Sequence, residues 1–331
     1  MGRRVTTLLG ALLVVAALAY FVLHAQRALS AIDLGQFARP DVAIALLVLT
    51  TLYTACVIPN AFGWKKLLDG LGAPVRYRRS LASLSFTQIG KYLPGNVGHH
   101  IGRIGLLRTQ GIPVSTGLYS LGYEAILAAL ASIHIGALVL LWQPPPAIAE
   151  HPAFTHKFAL MGLFTAGAAA TIMMAPLGMR VLQRIRRVEP SSVQGFRLGI
   201  GPAACSYLTS SCGLLFVGLG LWMMSYSLMQ APPPNPLFFV GAFAASWIVG
   251  FLAPGAPAGL GVREAVLSLW LGTIMPPAQA VLLVIALRVA TTAGDLLNFV
   301  AGAIATAKFR GTPTLEHESP AERPGAGSLP G

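Results

Sequence analysis

Six stretches of this chain, 5–23, 42–63, 114–142, 158–178, 198–226 and 278–307, run for about twenty residues or more with at most two charges apiece. A helix rises about 1.5 Å per residue, so about 20 apolar residues cross the ~30 Å hydrocarbon core of a bilayer. In that solvent only helices and closed barrels satisfy their own backbone hydrogen bonds. The pattern therefore predicts an all-α polytopic membrane protein with about six full spans. Composition agrees: 10% of the 331 residues are charged and 55% hydrophobic, against roughly a quarter charged in a soluble domain. The spans form one lipid-embedded unit over 1–310. The remainder, 311–331, is polar and rich in Pro and Gly, and is expected to be a disordered cytoplasmic tail. The first run follows Met-Gly-Arg-Arg and is nineteen residues long. A signal peptide's apolar core is about 7–15 residues, so a retained anchor is expected.

The net charge is +12, and its placement argues for topology rather than nucleic acid. Lys65, Lys66, Arg76, Arg78 and Arg79 form one basic cluster, and Arg180, Arg184, Arg186, Arg187 and Arg197 another. Neither is accompanied by a recognisable nucleic-acid-binding motif. Such clusters mark cytoplasmic loops and lie against anionic lipid heads. The loop at 24–41 has balanced charges, the loop that begins QPPPAIAEHP has one acid and one base (Glu150 and Lys157), and MQAPPPNP is uncharged. These read as external. Both termini are then cytoplasmic, 81–112 begins and ends inside, and 237–275 begins and ends outside.

Those two segments match each other. GKYLPGNVGHHIGRIGLL and GFLAPGAPAGLGVREAVL superpose on a shift of 160 residues, placing Gly90 on Gly250, Pro94 on Pro254, Gly95 on Gly255, Arg103 on Arg263 and Leu107 on Leu267. Helix breakers at corresponding places in two halves point to a site near the bilayer midplane. The segments are read as two oppositely inserted re-entrant helical hairpins, broken at Pro94-Gly95 and Pro254-Gly255, within an inverted repeat whose halves are about 42–142 and 198–307.

Lys91, Arg103, Glu124, Arg263, Glu264, Arg288 and Asp295 fall at membrane depth, with Arg108 nearer a surface. Each costs roughly 2.5–3.5 kcal/mol at a helix centre and needs a partner or water. Guanidinium forks match phosphate, and helix N-termini after each Pro-Gly add positive dipole. Lys91, Asn96, Arg103 and Arg263 are thus candidate ligands of a lipid head group; the alternative is that the arginines cap hairpin carbonyls. Glu124, Glu264, Arg288 and Asp295 form the expected buried network. Arg288 and Asp295 share a face of the last span, and Glu124 is expected to face Arg288, whether as part of the site or as an interhelical clamp.

Catalytic readings find little support. His99 and His100 are adjacent, so their rings are expected to leave a helix about 100° apart and not to share a metal. There is no P-loop, GxSxG or HExxH. Cys56, Cys205 and Cys212 lie in apolar spans and read as packing residues, with Cys205 and Cys212 too far apart along a helix for a disulfide. No enzyme activity, metal or cofactor is expected.

At GKYLPGNVGHHIGR (90–103), Glu124, PGAPAGLGVREA (254–265) and RVATTAGDLLNFVAG (288–302), the chain resembles the flippase-like family named for the transmembrane region of lysylphosphatidylglycerol synthase. The resemblance implies a lipid-handling domain of the bacterial inner membrane that translocates a phospholipid, aminoacyl-phospholipid or polyprenyl-linked glycolipid. Its partners would be membrane lipids and a glycosyltransferase or other lipid-modifying enzyme. Well-known members carry a soluble aminoacyl-transferase; this chain ends about 24 residues after the last span, so lipid aminoacylation is not carried over. Gly98 stands where relatives commonly have an aromatic. No ATP-binding motif is present, so movement would be energy-independent or ion-coupled, with Glu124 and Asp295 the candidates for carrying protons. The competing expectations are a non-transporting membrane subunit of a glycosyltransferase or envelope-lipid synthesis complex, and a transferase acting on a lipid-linked substrate.

Overall fold

The computed structural model describes Gly35 and residues 39–92, 97–144, 149–186, 198–229, 235–253 and 259–310. The expected first span at 5–23, the breaks themselves (Pro94, Gly95, Pro254, Gly255), Asn96 and the tail lie outside the described residues. Among those described, all regular structure is helical, and five helical stretches are long and apolar enough to cross a membrane: Pro40–Gly70, Val114–Trp142, Phe154–Leu177, Ile200–Met229 and Pro277–Lys308. The chain is an all-α polytopic membrane protein.

The first of these stretches is two helices, α1 (Pro40–Ala55) and α2 (Val57–Gly70), joined at Cys56. Pro40 at the first helical position and Asp41 in the first turn favour the start. Pro59 explains the joint: it has no N–H to bond the Ala55 carbonyl, and its ring crowds that carbonyl. This span is longer than the expected 42–63. Lys65 and Lys66 lie on α2 rather than in a loop, and Lys65 pairs with Asp69 one turn on. Arg78 and Arg79 belong to the start of α3 (Tyr77–Thr87). The basic cluster is therefore carried by two helix ends.

A 3-10 turn (Gln88–Tyr92) continues α3, and α4 (Gly98–Arg108) follows the first break. The helices α3 and α4 have 11 residues each. At about 1.5 Å per residue each arm is ~16 Å long, about half the hydrocarbon core. The 29-residue α5 (Val114–Trp142) then leads to α6 (Lys157–Arg186) and α7 (Ile200–Met229). The second broken segment consists of α8 (Pro236–Leu252) and α9 (Val262–Leu271). The Asn235 side chain caps α8 by accepting from the Leu237 N–H at 3.0 Å. The last helix is α10 (Pro277–Arg310).

Helix α7 is central, packed against α1, α2, α5 and α8, while α10 lies against α1 and α3. Leu49, Leu221, Met224, Phe239, Leu267 and Leu283 meet in the largest core. In its most apolar stretch α10 is 61% buried and α6 only 6%. The first is interior, the second peripheral. Phe158, Leu163, Met173 and Met174 stand exposed on α6, as side chains in contact with lipid tails would.

Small residues set the closest approaches, as expected where lipid supplies no hydrophobic drive between helices. A Cβ on Gly218 would fall 2.5 Å from the Val240 Cα, and one on Gly302 would fall 2.2 Å from the Phe86 N. The broken segments fold back in matching fashion. A Cβ on Gly90 would meet the His99 N at 2.6 Å, and one on Gly250 would meet the Gly259 Cα at 3.5 Å. His99 and Gly259, like Gly90 and Gly250, are 160 residues apart.

Gly302→Leu is expected to lower the thermal unfolding midpoint in detergent, since overpacking costs about 1–3 kcal/mol and the obstacle here is backbone. Gly122→Ala, whose new Cβ has nothing within 4 Å, should leave the midpoint unchanged or raise it.

Candidate functional site

A cavity of about 290 Å³ lies between the two broken segments and is walled by α1, α2, α5, α7 and α10 as well. Six of the expected site residues line it: Lys91, Arg103, Glu124, Arg263, Arg288 and Asp295. Glu264 stands behind the arginines, 4% exposed. The charges form three clusters, each built around one carboxylate.

Asp295, 1% exposed, belongs to the first. Its Oδ1 accepts from Lys91 Nζ at 2.7 Å and from the Tyr53 hydroxyl at 2.8 Å; its Oδ2 accepts from the Tyr92 hydroxyl at 2.6 Å. Lys91 also donates to the Tyr53 hydroxyl at 2.6 Å. Gly294 allows this approach, because a Cβ there would sit 2.6 Å from the Tyr53 ring. One turn along, Asn298 donates to the Thr54 carbonyl at 3.3 Å. The cluster ties α10 to the end of α1 and to the 3-10 turn of the first broken segment. Both carboxylate oxygens are engaged. Tyr53 and Tyr92 escaped the sequence reading, although a phenol within an apolar span has to find a polar partner.

The second cluster is Arg103 with Glu124. Nη2 lies 2.6 Å from Oε2 without hydrogen-bond alignment, so the contact is chiefly electrostatic, and Arg103 Nε has no partner. The guanidinium also stacks 3.9 Å over the Trp64 ring, whose N–H donates to Ser120 Oγ at 3.1 Å. Glu124 was expected to face Arg288; it faces Arg103 instead. The short connection from α4 to α5 and the fit of Ile104 and Leu107 over Gly117 bring that partner close, and Arg288 has a carboxylate nearer to hand.

That carboxylate is Glu264, the centre of the third cluster. Its Oε2 accepts from the Gly261 N–H at 2.7 Å. Its Oε1 lies 3.2 Å from Arg288 Nη1 and 3.5 Å from Arg263 Nη2. Gly261 has φ +80°, a conformation that favours glycine. Glu264 thus closes the N-terminus of α9 and serves as counter-charge to two arginines at once. Among the described residues, the cap in this segment is a carboxylate on an amide.

The histidines also depart from expectation. The His99 and His100 rings stack with centroids 3.8 Å apart and a 38° tilt, on the cavity wall. They stand in the first turn of α4, next to the break, where side-chain torsions fold the rings together. Both Nδ1 atoms are buried without a partner. Among the described residues no three of His, Cys, Asp or Glu converge as metal ligands. The three cysteines are free, and Cys56 borders the cavity. An aromatic wall completes the site, with Trp247 stacked on Phe251 at 5.0 Å and Phe243 alongside.

The family model described as the lysylphosphatidylglycerol synthase TM region matches residues 7–297, a range that takes in every charged residue of the cavity. The chain belongs to this family. No curated protein matches the chain. Membership in the lysylphosphatidylglycerol synthase TM-region family makes it a multi-pass membrane protein of lipid metabolism or transport.

Removing one partner of a buried ion pair costs about 3–5 kcal/mol, because the other charge is left uncompensated. Asp295→Ala is therefore expected to destabilise strongly, and Asp295→Ala combined with Lys91→Met to destabilise less than Asp295→Ala alone. Thermal unfolding of the purified variants in detergent checks the order.

Proposed function

We propose that this chain translocates a lipid across the bacterial inner membrane, its head group passing through the charged cavity while its tails remain in the bilayer. A phospholipid, an aminoacyl-phospholipid or a polyprenyl-linked glycolipid would fit this scheme. The observation that carries the reading is the hollow itself. Ion pairs serving only as helix clamps have no need of open space between them, yet four cations and two carboxylates line about 290 Å³ inside a bundle whose outer faces are apolar.

The short arms of the broken segments support their reading as re-entrant hairpins, since α3, α4 and α9 reach only about halfway through hydrocarbon. The paired approaches of Gly90 to His99 and Gly250 to Gly259, related by the same shift as the sequence motifs, support an inverted repeat. Opposed hairpins meeting at one cavity are suited to exposing it alternately to the two faces. Both termini are cytoplasmic in this reading. The lipid is moved and not chemically altered, so neither catalytic machinery nor a cofactor is called for. A glycosyltransferase or other lipid-modifying enzyme would act before or after it.

Reconstitution into vesicles with labelled lipid in one leaflet tests the proposal. The native chain should speed leaflet exchange, and Arg103→Ala with Arg263→Ala should reduce it at least tenfold. Exchange at the native rate in that double variant would overturn the reading.

A further inference from the structure

The charges around the cavity do not cancel. Among the described residues, Lys91, Arg103, Arg263 and Arg288 face Glu124, Glu264 and Asp295, which leaves one positive charge when histidine is counted as neutral. The break segments 93–96 and 254–258 contain no ionisable residue, so they add nothing to this count.

The surplus can be assigned to one side chain. Lys91 has Asp295 at 2.7 Å, Arg103 has Glu124 at 2.6 Å, and Arg288 has Glu264 at 3.2 Å. Among the described residues, Arg263 has that same Glu264 oxygen at 3.5 Å, the longest of the four contacts. Glu264 is further drawn to the Gly261 N–H. One carboxylate serves two guanidiniums and a helix N-terminus. Arg263 is therefore the cation whose counter-charge has to come from elsewhere, and it lines the hollow.

Resting on the lipid-translocation reading, we infer that the cavity takes a head group with a single net negative charge, a small phosphodiester, with Arg263 as the residue that selects it. A fork with free donors matches the two non-bridging oxygens of a phosphodiester. A phosphate monoester carries about −1.5 to −2 at neutral pH and would overshoot one surplus charge. An aminoacylated head group adds ammonium, and every carboxylate that might receive it already holds a cation. Such a lipid is disfavoured, although the family's name would invite it. Size points the same way: about 290 Å³ lies at the lower edge of the roughly 300–1,000 Å³ usual for small-molecule sites, which suits a glycerol-sized substituent and not a chain of sugars.

Native mass spectrometry of the full chain in detergent doped with phosphatidylglycerol, phosphatidylethanolamine, phosphatidic acid or lysylphosphatidylglycerol tests this, with soluble glycerophosphoglycerol as competitor. Phosphatidylglycerol should be retained at least tenfold better than the other three. In Arg263→Gln its advantage over phosphatidylethanolamine should shrink to within twofold, and Arg263→Lys should restore it. Retained phosphatidylethanolamine binding shows that the Gln variant is folded. If lysylphosphatidylglycerol or phosphatidic acid binds as well as phosphatidylglycerol, the inference fails while a lipid site stands. An undiminished preference in Arg263→Gln overturns the role of Arg263. Absence of any lipid binding to the native chain, with glycerophosphoglycerol retained in its place, sinks the lipid reading with it.

Discussion

A charge in hydrocarbon is tolerated only together with its counter-charge, and the interior of this protein is arranged by that requirement. Three carboxylates act as the fixed points. Asp295 holds α10 to the end of α1 and to the 3-10 turn before the first break. Glu124 holds α5 to α4 through Arg103. Glu264 holds α10 to α9 through Arg288 while closing the exposed amide end of α9. Both broken segments are thereby fastened to full-length helices by buried ion pairs, and the space between the fastenings is the cavity.

The same arrangement explains why the breaks can exist. A helix interrupted within a membrane leaves backbone groups that lipid cannot satisfy, so they must turn toward protein or a polar hollow. Beside the breaks the described arms fold back closely on each other, with glycines at 90 and 250 admitting the chain on the far side. On the outside nothing comparable is needed. The lipid-facing surface of α6 is a plain apolar helix, and its loose attachment to the bundle fits a peripheral position.

The two halves use this design with opposite charge sense. After the first break an arginine on the short arm, Arg103, meets a carboxylate on the following helix; after the second, a carboxylate on the short arm, Glu264, meets an arginine on the following helix. Arg263 occupies the position equivalent to Arg103 but shares its acid, and Arg103 is further covered by Trp64. Among the described residues, this asymmetry leaves the hollow with more cations than carboxylates.

What the amino-acid order determined alone was whatever depends on local composition. Runs of apolar residues longer than the bilayer is thick made the chain a helical membrane protein. Scarcity of charge in those runs and in the two broken segments singled out seven ionisable residues as interior ones, and six of them line the cavity with the seventh directly behind. Tertiary structure decided which acid meets which base. That choice turns on the rotation of each helix about its axis and on a few ångströms of approach at glycines, which no periodicity records. Hence Glu124 was assigned to Arg288 but lies on Arg103, Tyr53 and Tyr92 were passed over, and the histidines were separated though they stack. Hydrophobic partition is a property of single residues and survives in the string of letters, whereas electrostatic pairing is a property of distances, which exist only after the helices have packed.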